Sequence, residues 1–116
     1  HPMAEQRLAS QLHVDALRRL AESAGGFGMV LKKGDATAGQ ILAILLEKGD
    51  NPRLFGRQMA DDFTYQWAEI DVKGRDGGGT LAQYCARARS RDPDLWIIEL
   101  DVAQITPLIA ALSAMG

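Results

Sequence analysis

The chain has 116 residues, 47% apolar and 24% charged, which suits one folded domain and excludes disorder of the whole chain. A net charge of −2 removes the electrostatic pull toward nucleic acid or an anionic membrane surface. The longest apolar run, Ile41 to Leu46, falls far short of the roughly 18 residues that a membrane span needs.

His1-Pro2 before Met3 reads as an appended start, so residues 1–3 are set apart and residues 4–116 are read as a single α+β domain. The N-terminal stretch lacks a charged-then-apolar signal pattern, and Cys85 is the single cysteine. Both features lead us to expect a cytoplasmic protein without disulfides.

Ser10 is placed to cap a helix running to about Ala24. Leu12, Ala16, Leu20 and Ala24 recur at every fourth position, and Val14, Leu17 and Ala21 widen the stripe. Asp15/Arg19 and Arg18/Glu22 are i,i+4 ion pairs on the far side, and Gly25-Gly26 supplies a stop. Strands are expected at about Phe27–Lys33, Gly39–Lys48, Arg53–Met59 and Phe63–Val72. They are separated by turn chemistry at Gly34–Ala38, Gly49-Asp50-Asn51-Pro52 and Asp61-Asp62. Ile41–Leu46 lacks polar alternation, as a central strand covered on both faces does. Thr80 caps a second helix with Leu81, Tyr84, Cys85 and Ala88 inward. Asp92-Pro93-Asp94 ends it, because the residue before proline resists helical angles. A fifth strand covers about Leu95–Leu100. Thr106-Pro107 opens a last helix with Leu108, Ile109, Leu112 and Met115 on its apolar face. Short links join antiparallel neighbours, so the expected architecture is a roughly five-stranded, mainly antiparallel sheet. It is a meander plus one returning strand, with three helices packed on it.

Several stretches together resemble a known family. Val14-Asp15-Ala16-Leu17-Arg18-Arg19, Gly25-Gly26-Phe27, Val30-Leu31-Lys32-Lys33-Gly34-Asp35, Ala38-Gly39 and Asp92-Pro93-Asp94-Leu95-Trp96-Ile97-Ile98-Glu99 are similar to domain of unknown function 1491. That is a family of small, mostly alphaproteobacterial proteins. The resemblance runs from about Leu8 to Asp101, and the Asp92–Trp96 stretch is its most specific part. It implies no assigned activity and no catalytic residue.

The chemistry-bearing residues each admit a structural and a functional reading. Gly34–Gly39 matches the start of a phosphate loop, but Gln40-Ile41 stand where lysine and serine or threonine are required, so a loop between strands is favoured. Gly77-Gly78-Gly79-Thr80 could present backbone N–H groups to an anion, though a flexible link with an ordinary cap explains it. Asp92 and Asp94 could share a hard cation; a local turn bond is favoured, and no metal is expected. Of Arg87, Arg89 and Arg91 only Arg87 and Arg91 share a helix face, and the net charge is wrong for strong nucleic-acid binding. Without His1, His13 is the only histidine, which excludes multi-histidine zinc chemistry. Cys85 reads as a small buried hydrophobe.

Two functional classes follow. The favoured one is a non-catalytic interaction or structural module, with a homodimer as its expected form, because the apolar residues exceed what one layer of helices on one sheet face can cover. The alternative is a small-molecule binder or enzyme acting on an anionic ligand, with no cofactor. Arg18, Arg19 or Lys32 would hold the anion, Glu99 or Asp94 would be the acid–base group, and Trp96 could line the site. Glu99 draws attention because it interrupts an apolar strand. The two classes separate on whether Glu99 and a cation converge in a concave pocket.

Overall fold

The apolar run expected to be a central strand lies in the middle of the sheet. In the computed structural model, which describes residues 9–59, 61–73 and 79–115, the order of elements is α1 (Ser10–Ser23), β1 (Phe27–Lys32), β2 (Ile41–Glu47), β3 (Asp50–Met59), β4 (Tyr65–Glu69), α2 (Leu81–Arg91), β5 (Trp96–Val102) and α3 (Ile105–Met115). The five strands form one sheet in the order β1-β5-β2-β3-β4. Pairing is antiparallel except between β2 and β5. This is the expected α+β architecture.

The meander is confined to β2, β3 and β4. The returning strand β5 inserts between β1 and β2, which short-link reasoning made neighbours. The loop after β1 crosses the incoming end of β5, where Asp35 N–H donates to the Asp94 carbonyl and Trp96 N–H to the Gln40 carbonyl.

Alternation along the strands sorts side chains onto two faces. Ile41, Ala43 and Leu45 of β2 join Trp96, Ile98, Leu100 and Val102 of β5 beneath α1 and α3. Leu42 and Ile44 join Leu54, Leu95, Ile97 and Cys85 on the opposite face, where Leu81, Tyr84 and Ala88 of α2 pack. The premise of a single helical layer is therefore corrected: helices lie on both faces. The C-terminal helix covers the sheet through buried Leu108 and Leu112. Each such fully buried aliphatic side chain contributes about 1.5–3 kcal/mol.

Several local expectations shift: β3 begins at Asp50, inside the expected Gly49–Pro52 turn, and β4 spans only Tyr65–Glu69 of the expected Phe63–Val72. The buried stripe of α1 is Ser10, His13, Val14, Leu17 and Ala21, while Leu12 is 55% exposed. Ser10 is the first helical residue rather than the cap, and its hydroxyl donates to the Gly39 carbonyl. The helix's leading N–H groups, of Ser10 and Gln11, donate to the Thr37 and Ala36 carbonyls. Rotation of the stripe follows, since the loop fixes which side of the first turn faces inward. At the other end α3 starts at Ile105, so Thr106, expected as its cap, is its second residue; Glu47 at the end of β2 accepts the Ile105 N–H at 2.8 Å. Thr80 caps α2 as expected, in a reciprocal box with Gln83.

Candidate functional site

Three of the family-like stretches, around Lys32–Asp35, Ala38-Gly39 and Asp92–Trp96, meet at one backbone corner. Proline at 93 sets the chain's exit from α2, and the Asp92 carboxylate accepts the Asp94 N–H at 3.0 Å. The Asp35 carboxylate does the same for Thr37 and Ala38, at 3.1 and 2.8 Å. The two turns touch through backbone. A Cβ at either Gly34 or Gly39 would stand 2.2 Å from the Asp94 carbonyl oxygen, so only glycine fits. Trp96 is 1% exposed, and its indole N–H donates to the Asp35 carbonyl at 2.7 Å. The Lys32 ammonium donates to the Pro93 and Leu95 carbonyls at 2.8 and 2.7 Å. Asp92, Lys32 and Trp96 are thus occupied in shaping a corner.

The residues nominated as an anion site are not brought together. Glu99 alternates with Trp96, Ile98 and Leu100, so it lies on the α2 side of the sheet, half-buried beside Met29 and Ile44. Among the described residues it makes no hydrogen bond or ion pair. Arg18 and Arg19 sit exposed on α1, on the other face; Arg18 Nε lies 3.4 Å from the Gly28 carbonyl. Asp94 is exposed at the corner. Two open notches lie along α2. One, about 450 Å³, is lined by Ala86, Arg87, Ser90 and Arg91. The other, about 210 Å³, includes Gln40, Tyr84, Arg91 and Leu95. Neither is lined by Glu99, Asp94, Arg18, Arg19, Lys32 or Trp96. Among the described residues no group of three or more His, Cys, Asp or Glu is placed to hold a metal, and no helix is long and apolar enough to cross a membrane. The glycines at 77 and 78 lie outside the described residues.

Sequence reasoning missed a buried polar cluster. His13 is 3% exposed, with its ring edge-on to Trp67 at 5.9 Å between centroids. Arg57 pairs with Trp67 across β3 and β4, and its guanidinium stacks on Tyr65 at 4.6 Å. Burial, and then the nearby Arg57 charge, push the His13 imidazole down to about 4, so it is neutral at pH 7. His13 Nε2 and Trp67 Nε1 have no hydrogen-bond partner among the described residues. The single signal in the sequence was the position of His13, between Ser10 and Leu17 on the helix. Cys85 is buried, which raises its thiol and makes it unreactive.

Among the described residues, β1 carries three exposed large apolar side chains. Phe27, Met29 and Leu31 are 50%, 47% and 46% exposed on an edge strand. Phe27 and Met29 pair with Asp101 and Glu99, which places them on the α2 side of the sheet. They lie outside both apolar clusters.

Comparison with known proteins bears on family alone. No curated protein matches the chain. A crystal structure of a DUF1491 family protein from Caulobacter crescentus CB15 is 30% identical with a TM-score of 0.76, over 88% of this chain and 94% of that one. An NMR structure of a DUF1491 family protein from the same organism is 32% identical with a TM-score of 0.66, over 82% and 86%. A solution structure of a protein from A. tumefaciens is 31% identical with a TM-score of 0.66, over 88% and 92%. The sequence matches "Protein of unknown function (DUF1491)" across residues 8–110, and the chain belongs to that family.

Proposed function

We propose that the chain is a non-catalytic interaction module of the bacterial cytoplasm that associates with a second copy of itself through the bare end of its sheet. The observation that supports this reading is the row Phe27, Met29 and Leu31, each about half exposed on one edge strand. Scattered exposed apolar side chains are normal, but Phe27 and Met29 lie side by side on one face of an edge strand, with Leu31 at the bulge just beyond, and such grouping is of the kind that marks an interface. The absence of convergence between Glu99 and any nominated cation weighs against the anionic-ligand reading. Light scattering behind size exclusion at micromolar concentration tests the proposal. A mass twice the 12.6 kDa of one chain is expected, falling to one chain in Phe27→Ser/Met29→Ser. A wild-type mass of 12.6 kDa throughout the concentration range would overturn it.

A further inference from the structure

Among the described residues, α2 covers only part of its side of the sheet. Its apolar residues Leu81, Tyr84, Cys85 and Ala88 pack with Leu42, Ile44, Leu54, Leu95 and Ile97. The remainder, at β1 and the C-terminal end of β5, is left with Phe27, Met29, Glu99 and Asp101. That bare area is apolar with a carboxylate on the neighbouring strand. Asp101 already accepts the Gly49 N–H through one oxygen at 2.9 Å, whereas Glu99 has no polar partner among the described residues. An occupant must therefore offer a cation beside a surface that lets apolar side chains approach closely.

The outward face of α2 has that chemistry. Ala82, Ala86 and Ser90 are short and exposed at helical spacing, which leaves a shallow open groove beside Arg87 and Arg91 that an apolar side chain can approach closely. Arg91 stands exposed at its rim. We infer that the module is a two-fold dimer in which α2 of each copy docks on the bare β1–β5 end of the other's sheet, its Arg91 facing the partner's Glu99. The inference rests on the self-association proposed above and specifies its geometry. Donor and acceptor surfaces are present on every copy, so one two-fold axis satisfies both at once and closes the assembly.

Charge reversal with mixing tests this geometry. Glu99→Arg and Arg91→Glu are each expected to weaken the dimer about tenfold or more, measured by sedimentation equilibrium. Both positions lack tertiary polar partners among the described residues, and circular dichroism melts will verify that each variant is folded. Mixed in equal amounts, the two variants should dimerise with near wild-type affinity. In the mixed dimer one contact carries the reversed pair and the other the native pair. Native mass spectrometry of one isotopically labelled variant would detect that species selectively. If Phe27→Ser/Met29→Ser dissociates the dimer while the mixture stays as weak as the single variants, the reciprocal α2 docking is wrong and the interaction module stands. If the wild type never dimerises, both fall.

Discussion

The indole N–H of Trp96 donates to the carbonyl of Asp35 at 2.7 Å, across 61 positions of sequence. This bond joins the loop after β1 to the start of β5 and seats the ring in the larger apolar cluster. Trp96→Ala is expected to cost about 3–5 kcal/mol, as truncating a buried aromatic does. Trp96→Phe keeps most of the packing but loses the bond, for about 1–2 kcal/mol. Asp92→Asn should cost under about 0.5 kcal/mol, since an amide oxygen still accepts the Asp94 N–H. Urea denaturation at pH 7 measures all three. Equal losses in the two tryptophan variants would mean that the hydrogen bond, not the ring's volume, holds the corner.

Lys32 closes the same corner from the β1 side. Its ammonium satisfies the carbonyls of Pro93 and Leu95, and a methionine of similar length would leave both without that donor. Lys32→Met is expected to destabilise by about 1–3 kcal/mol, the range for hydrogen bonds to a charged group. Lys32→Arg should recover part of this, because a planar fork reaches two carbonyls less well than a compact ammonium does. An unchanged urea midpoint in Lys32→Met would show that the lysine is dispensable for stability and return it to the pool of ligand candidates.

His13 makes stability depend on pH. Its folded-state pKa of about 4 lies below the 6.5 of an unperturbed histidine, so between these values the unfolded chain binds more protons. The stabilisation is complete above pH 6.5 and declines as pH falls toward 4. The full shift corresponds to about 3 kcal/mol, and relaxation of the surroundings around a protonated ring reduces this to about 1–2 kcal/mol. His13→Gln should flatten the difference in unfolding free energy between pH 4.5 and 7 by about that amount. Parallel pH profiles for the two proteins would place the histidine in a more hydrated site than the one described.

Elements carried by local signals were legible in the sequence. The two-sided burial of Ile41–Leu45 needs only apolar residues without alternation, and the Thr80 cap needs only Gln83 three residues on. The Asp92–Asp94 turn was readable because proline and an Asx turn are short-range, whereas the seating of Trp96 rests on partners far away in sequence. The order of strands was not, because nothing local tells β5 to enter between β1 and β2; long-range backbone bonds from Asp35 and Trp96 decide it. The role of Lys32 was hidden for the same reason, since a strand-end lysine looks alike whether it meets water or carbonyls 61 and 63 positions away. A lone histidine on a helix carries no local sign of its surroundings, so the place of His13 in the core was not legible either. Its burial against Trp67 depends on the exact rotation of α1, which the 36–39 loop sets.

Phe63 is held at φ 64° in the turn between β3 and β4, with 81% of its surface exposed. The left-handed region is costly for a bulky side chain, whose Cβ crowds the following carbonyl. Asp62 supports the turn by accepting the N–H of Thr64 at 3.1 Å and its hydroxyl at 2.6 Å, which also holds the Asp62 carboxyl low. Because the ring is so exposed, replacing it loses little burial. Phe63→Asn should therefore stabilise the fold by about 0.5–1 kcal/mol, since asparagine tolerates this conformation. Phe63→Gly relieves the same strain but loosens the unfolded chain, so its gain should be smaller. Phe63→Val should be the least stable, because β-branching adds crowding where φ is positive. Urea midpoints are expected in the order Asn, Gly, Phe, Val. A Phe63→Asn protein less stable than wild type would mean that the exposed ring contributes a contact worth more than the backbone strain it sustains.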